Sequence, residues 1–236
     1  MKKLEDYNFY EGEFLLIDKS IGWTSFDVVN KLRKLIQKRY KKKLKLGHAG
    51  TLDPLATGLL ILCSGKFTKK ISQLQELDKE YQGTFVIGAT TPSHDLETEV
   101  DNTFPVFHLD TEAIRKAAQQ FTGEIMQTPP MHSAIKIDGK RAYKLARKGE
   151  IMELKPRKIT IKAFDIFQID KQENVISMDF RVVCSKGTYI RSLARDFGMA
   201  LQNGAFLKNL RRTAIGEFRV EDAMAINDLV SMLESG

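Results

Sequence analysis

The sequence predicts a mixed α+β domain built around a largely antiparallel sheet, and three observations carry that prediction. Two segments, near 157–170 and 175–185, alternate with period two (Ile159, Ile161; Met178, Phe180, Val182), and Gln172 to Asn174 supply a turn between them. Other segments place apolar residues at helical spacing, as Val28, Val29, Leu32, Leu35 and Ile36 do. No repeat, low-complexity tract or Ser/Gly linker interrupts the 236 residues. With 42% hydrophobic and 28% charged residues the chain resembles an average globular protein, so a core can form without disulfides, and a single domain over 1–236 is expected.

Taken in order, EFLLIDK (13–19) reads as a strand, and Thr24 or Ser25 is placed to cap the amphipathic helix that follows. GHAGTLDPLATG (47–58) has three glycines, a proline and no periodicity, which predicts a loop running into the strand LLILC. KFTKKISQLQEL reads as helix, EYQGTFVIGA as strand, and TEAIRKAAQQF as helix capped by Thr111 with Gly123 just past its end. After the two alternating strands, YIRSLARDFGMALQ is a helix, AFLKNLRRTAIGEF a strand pair, and AINDLVSMLES a closing helix.

Lys and Arg number 37 against 30 Asp and Glu, a formal charge of +7 that excludes an acidic, self-solvating chain. Its placement is uneven. Nine basic residues and no acid lie between Lys31 and Lys45, six lie between Lys136 and Lys148 against Asp138 alone, and smaller groups recur at Lys155 to Lys162 and Lys208 to Arg219. A solvated surface accounts for any one group, but four together favour a polyanionic partner, because each neutralised phosphate releases counterions. The cysteines, Cys63 and Cys184, sit in apolar segments without CxxC or metal-ligand spacing and read as buried thiols in a reducing compartment. The acidic N-terminus lacks the apolar core of a signal peptide, and no run approaches the ~20 apolar residues of a spanning helix, so a cytoplasmic location is expected.

Several chemistries fail on inspection. In the segment around Gly65-Lys66, Leu60 stands where a phosphate loop needs glycine and Phe67 where it needs Ser or Thr. No GxGxxG, HExxH or GxSxG occurs, and His48, His94, His108 and His132 are scattered, so neither metal nor dinucleotide is expected. What remains is the loop 47–58, whose single acid is Asp53. Pro54 pushes Asp53 toward extended backbone, while Gly47, Gly50 and Gly58 permit close approach. From spacing alone an ordinary Asx turn is the favoured reading, since Asp before Pro is common in turns, and a lone presented carboxylate is the alternative.

GHAGTLDPLATG closely resembles the catalytic motif of the TruB family of tRNA pseudouridine-55 synthases. IDKSIGWTS (17–25), DKEY (78–81), QTPPMHSAIK (127–136), CSKGTYIRSLARDFG (184–198) and LRRTAIGEF (210–218) agree with that family in the same order. Ser20 and His132 depart from its usual Pro and Tyr. The resemblance implies the pseudouridine synthase fold, a mixed, mostly antiparallel sheet flanked by helices and loops, and isomerisation of a tRNA T-loop uridine without a cofactor. It also implies an RNA-clasping insertion near 127–152, with Lys136, Lys140, Arg141, Lys144 and Arg147 toward the backbone. The small C-terminal RNA-binding domain usual in bacterial members is not expected within this chain.

The reaction cleaves C1′–N1, turns the base and joins C5 to C1′, and one carboxylate suffices. Asp53 as that carboxylate could add to C6, attack C1′, or leave a glycal after loss of the C2′ proton, and the sequence does not choose. Closing a site over a base disfavours the ionised acid, so a cation is required. The resemblance assigns that role to Arg191, with Thr188 expected to cap its helix. It makes Tyr81 a catalytic residue that stacks on the uracil and whose hydroxyl could act as a base toward C2′, and assigns Tyr189 and Leu210 to the uridine pocket and His48 to the gap left by the flipped base. Lys19 and Lys69 are expected at phosphates. The expected partner is the tRNA T stem-loop, bound by a monomer without an obligate protein partner or membrane. An RNA-folding chaperone without chemistry and a guide-RNA-dependent enzyme acting on ribosomal RNA are the competing readings. The set Asp53, Tyr81 and Arg191 argues against the first as the sole role, and the short chain against the second.

Overall fold

A computed structural model of the protein describes residues 4–131, 136–137, 140–141 and 154–235. In chain order the elements are β1 (Phe14–Lys19), α1 (Ser25–Tyr40), β2 (Leu46–His48), β3 (Ala56–Ser64), α2 (Ile71–Glu76), β4 (Lys79–Ile87), β5 (Ala89–Thr90), β6 (Asn102–Thr103), α3 (Thr111–Gln119), β7 (Gly123–Gln127), β8 (Lys136–Ile137) and β9 (Lys140–Arg141). There follow β10 (Arg157–Lys171), β11 (Ile176–Cys184), α4 (Ile190–Ala200), β12 (Ala205–Ile215), β13 (Phe218–Arg219), β14 (Met224–Ala225) and α5 (Ile226–Glu234). No described helix is long and apolar enough to cross a membrane. The chain divides into two compact units, Met1–Tyr81 with Leu210–Gly236, and Gln82–Asn209. The divisions fall inside β4 and β12, where no linker composition marks the sequence.

In the first unit β1 pairs antiparallel with β3 and parallel with β14, and β3 also takes β2 antiparallel and β12 parallel. Helix α1 begins at Thr24, which accepts the Asp27 N–H while the Asp27 carboxylate accepts the Thr24 N–H, both at 3.0 Å, a reciprocal capping box. Its apolar stripe, Val28, Val29, Leu32 and Ile36, packs with Leu15, Ile17, Leu60, Leu62 and, from α5, Ile226 and Leu229. Leu59, Ile61 and Cys63 belong to a separate cluster with Leu74, Ile215 and Val220. The two sets alternate along β3, so it is buried on both faces, which is why LLILC reads as an unbroken apolar run.

In the second unit β10 pairs antiparallel with β11 and with β7. The hairpin turns between Lys171 and Ile176, as the alternation predicts, with register breaks between Ile161 and Ala163 and between Ile166 and Gln168. Phe85, Phe164, Phe180 and Phe197 form an aromatic core, closest between Phe85 and Phe180 at 4.2 Å. The ring contacts fix α4, through Phe197, over the sheet.

Three local expectations change. Asp110, not Thr111, caps α3, accepting from the Ala113 N–H at 2.7 Å. Residues Gly65–Lys70 wind as a 3-10 helix before α2 rather than as one longer helix. Tyr189, not Thr188, occupies the cap position of α4, because the Thr188 hydroxyl donates instead to the Ser185 carbonyl at 2.9 Å. The expected insertion near 127–152 lies mostly outside the described residues; within it, Lys136 pairs with Arg141 and Ile137 with Lys140 in a short antiparallel ladder.

Candidate active site

The loop between β2 and β3 is held at every residue from Ala49 to Pro54. The Ala49 N–H donates to Ile61 O at 2.9 Å. Arg212, 1% exposed, sends Nη2 to Gly50 O at 3.2 Å, Nη1 to Thr51 O at 3.3 Å and Nε to Leu59 O at 2.8 Å. The Ser25 hydroxyl accepts from the Leu52 N–H at 2.8 Å and donates to Leu52 O at 3.2 Å. Asp53 O accepts from the Ala56 N–H at 3.1 Å, and Pro54 O from the Gly22 N–H at 2.8 Å. Each residue from Ala49 to Pro54 thus has a main-chain group bonded, mostly to buried partners, which restrains the loop that carries the half-buried Asp53 side chain.

Lys19 completes this cradle. It lies in phase with Leu15 and Ile17 on the buried side of β1 and is wholly buried. Its Nζ donates to Trp23 O at 2.7 Å, Ser20 O at 3.1 Å and Pro54 O at 3.5 Å. Burial lowers its pKa to about 8, against the attraction of the Asp53 carboxylate and with the repulsion of Arg212. The expected phosphate contact is therefore corrected: an ammonium enclosed by three carbonyls does not face solvent. His48, ending β2, is held below its ordinary pKa by burial first and by Arg212 as well, so the imidazole is neutral at pH 7. Leu210 pairs with Ala56 in the parallel β12–β3 ladder, three residues beyond Asp53. Tyr81 is buried on β4, and Lys69 is exposed on the 3-10 turn.

These residues belong to the first unit, and Arg191 and Tyr189 to the second. Arg191, 4% exposed, is the second residue of α4. Its Nε meets Asp95 Oδ2 at 3.5 Å, and its Nη1 donates to Ser93 O at 3.3 Å. Asp95 is itself buried, so the pair is screened from water and depends on these contacts. Between them, His94 adopts a left-handed backbone at φ 60°, and burial, with Arg195 and Arg191 nearby, pushes its pKa down to about 4.

Asp95 and Arg212 are the residues that sequence reading missed. Arg212 looks like one more surface cation between Lys208 and Arg219, but it shares strand parity with Leu210 and Ala214. That phase was the available signal. For Asp95, in TPSHDLETE, adjacent acids hide the single buried one, and no spacing marks it.

A family model described as TruB family pseudouridylate synthase (N terminal domain) matches residues 37–190. The chain is 58% identical over 220 residues to tRNA pseudouridine synthase B of Flavobacterium johnsoniae, covering 92% of this chain and 94% of that one. It is 51% identical over 228 residues to the protein of the same name from Phocaeicola vulgatus, covering 96% and 95%. Among solved structures, a chain of a Cbf5-Nop10-Gar1 complex superposes with a TM-score of 0.67 at 27% identity, covering 94% of this chain and 54% of that one. A chain of an H/ACA RNP bound to a substrate RNA containing 2'-deoxyuridine gives 0.65 at 26% identity, covering 94% and 53%. The chain spans about half the length of these solved chains. Identity above half along nearly the whole chain, with the Asp53 loop inside the segment that the family model matches, makes this protein a member of the TruB family of pseudouridylate synthases, with their α+β fold.

Proposed function

We propose that the chain converts the T-loop uridine at tRNA position 55 to pseudouridine, with Asp53 as the catalytic carboxylate. The observation that carries the reading is the cradle of Ala49 to Pro54, which presents one carboxylate on a loop that has no freedom to withdraw it. Its relatives named tRNA pseudouridine synthase B support tRNA as the substrate.

The reaction breaks C1′–N1 and forms C1′–C5; the proton leaving C5 is balanced by one gained at N1. No atom or electron is gained overall, so the product has the substrate's mass. The target is flipped from its stack at a cost of a few kcal/mol. Tyr81 then stacks on the uracil, Tyr189 and Leu210 line the pocket, and neutral His48 fills the vacated place among the bases. Arg191 supplies the positive charge that keeps the Asp53 carboxylate ionised as water is excluded. Lys69 meets a phosphate. The enzyme works as a monomer in the cytoplasm on tRNA alone.

The test is incubation of purified protein with a T-arm transcript, without metal or nucleotide, followed by carbodiimide treatment and primer extension. The reading expects a single stop at the position-55 uridine in RNA of unchanged mass. No adduct there, or modification only when other proteins are added, would overturn it.

A further inference from the structure

Helix α4 starts without the usual help. Its cap residue, Tyr189, makes no side-chain cap bond, although Arg191 stands only two residues further on. First-turn N–H groups normally draw on a capping side chain worth about 1 kcal/mol. Another element grips the main chain of the cap residue itself. Gln127, the last residue of β7 and 1% exposed, accepts the Tyr189 N–H on Oε1 at 2.8 Å and donates Nε2 to Tyr189 O at 3.1 Å. A side-chain carboxamide pairs with both main-chain groups of one residue, as a neighbouring strand would.

The anchor is itself fixed. Gln127 pairs with Arg157 in the β7–β10 ladder. The next carbonyl, Thr128 O, accepts from Ser192 Oγ at 2.8 Å and from Arg195 Nη2 at 3.0 Å. Two consecutive residues thereby hold α4 at Tyr189, Ser192 and Arg195, on both sides of Arg191. With the Arg191 head bound by Ser93 and Asp95, the side chain is fixed at both ends.

We propose that Gln127 is a positioning residue for the reaction: its carboxamide sets the start and rotation of α4, and through them the place of the Arg191 guanidinium. This rests on the reading of Arg191 as the cation serving the reaction. The chemistry is specific to the amide. A carboxylate offers only acceptors and would face the Tyr189 carbonyl without a donor, whereas a protonated carboxyl again offers one donor and one acceptor.

The test measures single-turnover rate and RNA affinity on a T stem-loop for Gln127→Ala, Gln127→Glu, Arg191→Lys and the double variant Gln127→Ala/Arg191→Lys. Gln127→Ala should slow the reaction at least tenfold with the Kd for RNA within about twofold, and should add little in the Arg191→Lys background. Multiplicative effects in the double variant, or a wild-type rate for Gln127→Ala beside an impaired Arg191→Lys, would overturn the positioning role alone. A wild-type rate for Arg191→Lys would overturn the underlying reading and the role with it. Should the Ala variant fail to fold, Gln127→Glu decides: its rate relative to wild type should rise as pH falls and the carboxyl regains its proton. The charged groups on the elements involved are Glu124 on β7, Arg191, Arg195 and Asp196 on α4, and Arg157, Lys158, Lys162, Asp165, Asp170 and Lys171 on β10. A ratio that does not change between pH 5.5 and 8 would contradict the proposal.

Discussion

Gly58 and Arg212 are partners in the parallel β3–β12 ladder, and they approach so closely that a Cβ on Gly58 would lie 2.3 Å from the Arg212 carbonyl oxygen. At φ +98° Gly58 also occupies a region that other residues rarely adopt. The contact brings the Arg212 backbone against β3 while its side chain reaches back to Gly50 and Thr51. The Asp53 loop and the strand that follows it are thus referenced to one arginine.

Gly58→Ala should therefore destabilise the protein by about 2–5 kcal/mol, combining steric overpacking with left-handed strain. Urea unfolding measures this directly, and a change below about 1 kcal/mol would mean that the ladder yields at little cost.

Arg212→Met keeps bulk but leaves Gly50, Thr51 and Leu59 carbonyls without their donor. We expect about 3 kcal/mol or more of lost stability, since a buried unpaired polar group costs roughly 1–3 kcal/mol. Turnover should fall by more than RNA affinity, because the loop that carries Asp53 is loosened. Equal losses in both would assign Arg212 to RNA contact.

Lys19 gives a pH signature. Its pKa is about 8 in the folded protein against 10.5 for an ordinary lysine. Below about 8 both folded and unfolded states hold the proton, and the cost of burying the ammonium is present in full. Between about 8 and 10.5 the unfolded state binds more protons, so this group's contribution to stability rises with pH. Urea unfolding of wild type and Lys19→Met at pH 7 and 9.5 should show their difference moving in favour of wild type at the higher pH. An unchanged difference would contradict the depressed pKa.

The exposed basic residues of α1 provide the fourth test. Lys34 and Lys38 face solvent and Lys42 follows the helix end. If they meet phosphates, each neutralisation should lower the slope of log affinity against log salt by up to ~0.9. Identical slopes for wild type and the triple alanine variant would place this face away from RNA.

Much of this was legible in the sequence wherever periodicity is local. The hairpin from Arg157 to Cys184, a cap at Thr24 or Ser25 and a strand at LLILC follow from residue pattern alone. The Asp53 loop announced itself through its glycines and proline. The partners that make it rigid did not, because Ser25 and Arg212 are 27 and 161 residues from the loop atoms they hold. Lys19 was misjudged for a related reason: a lysine is ordinarily exposed, and its phase with Leu15 and Ile17 counted for less than its charge. Thr188 does not cap α4 because its hydroxyl donates to Ser185 O, and the contact that holds Tyr189, from Gln127 62 residues away, is one that no local rule contains.

The central claim is that Asp53 performs the chemistry and that its loop exists to present it. Asp53→Asn preserves shape while removing the carboxylate, and the direct measurement is pseudouridine formed at tRNA position 55 under single-turnover conditions, beside the Kd for the same RNA. The account predicts no detectable product with the Kd within a few-fold of wild type. Appreciable product from a sequence-verified Asp53→Asn preparation would contradict it.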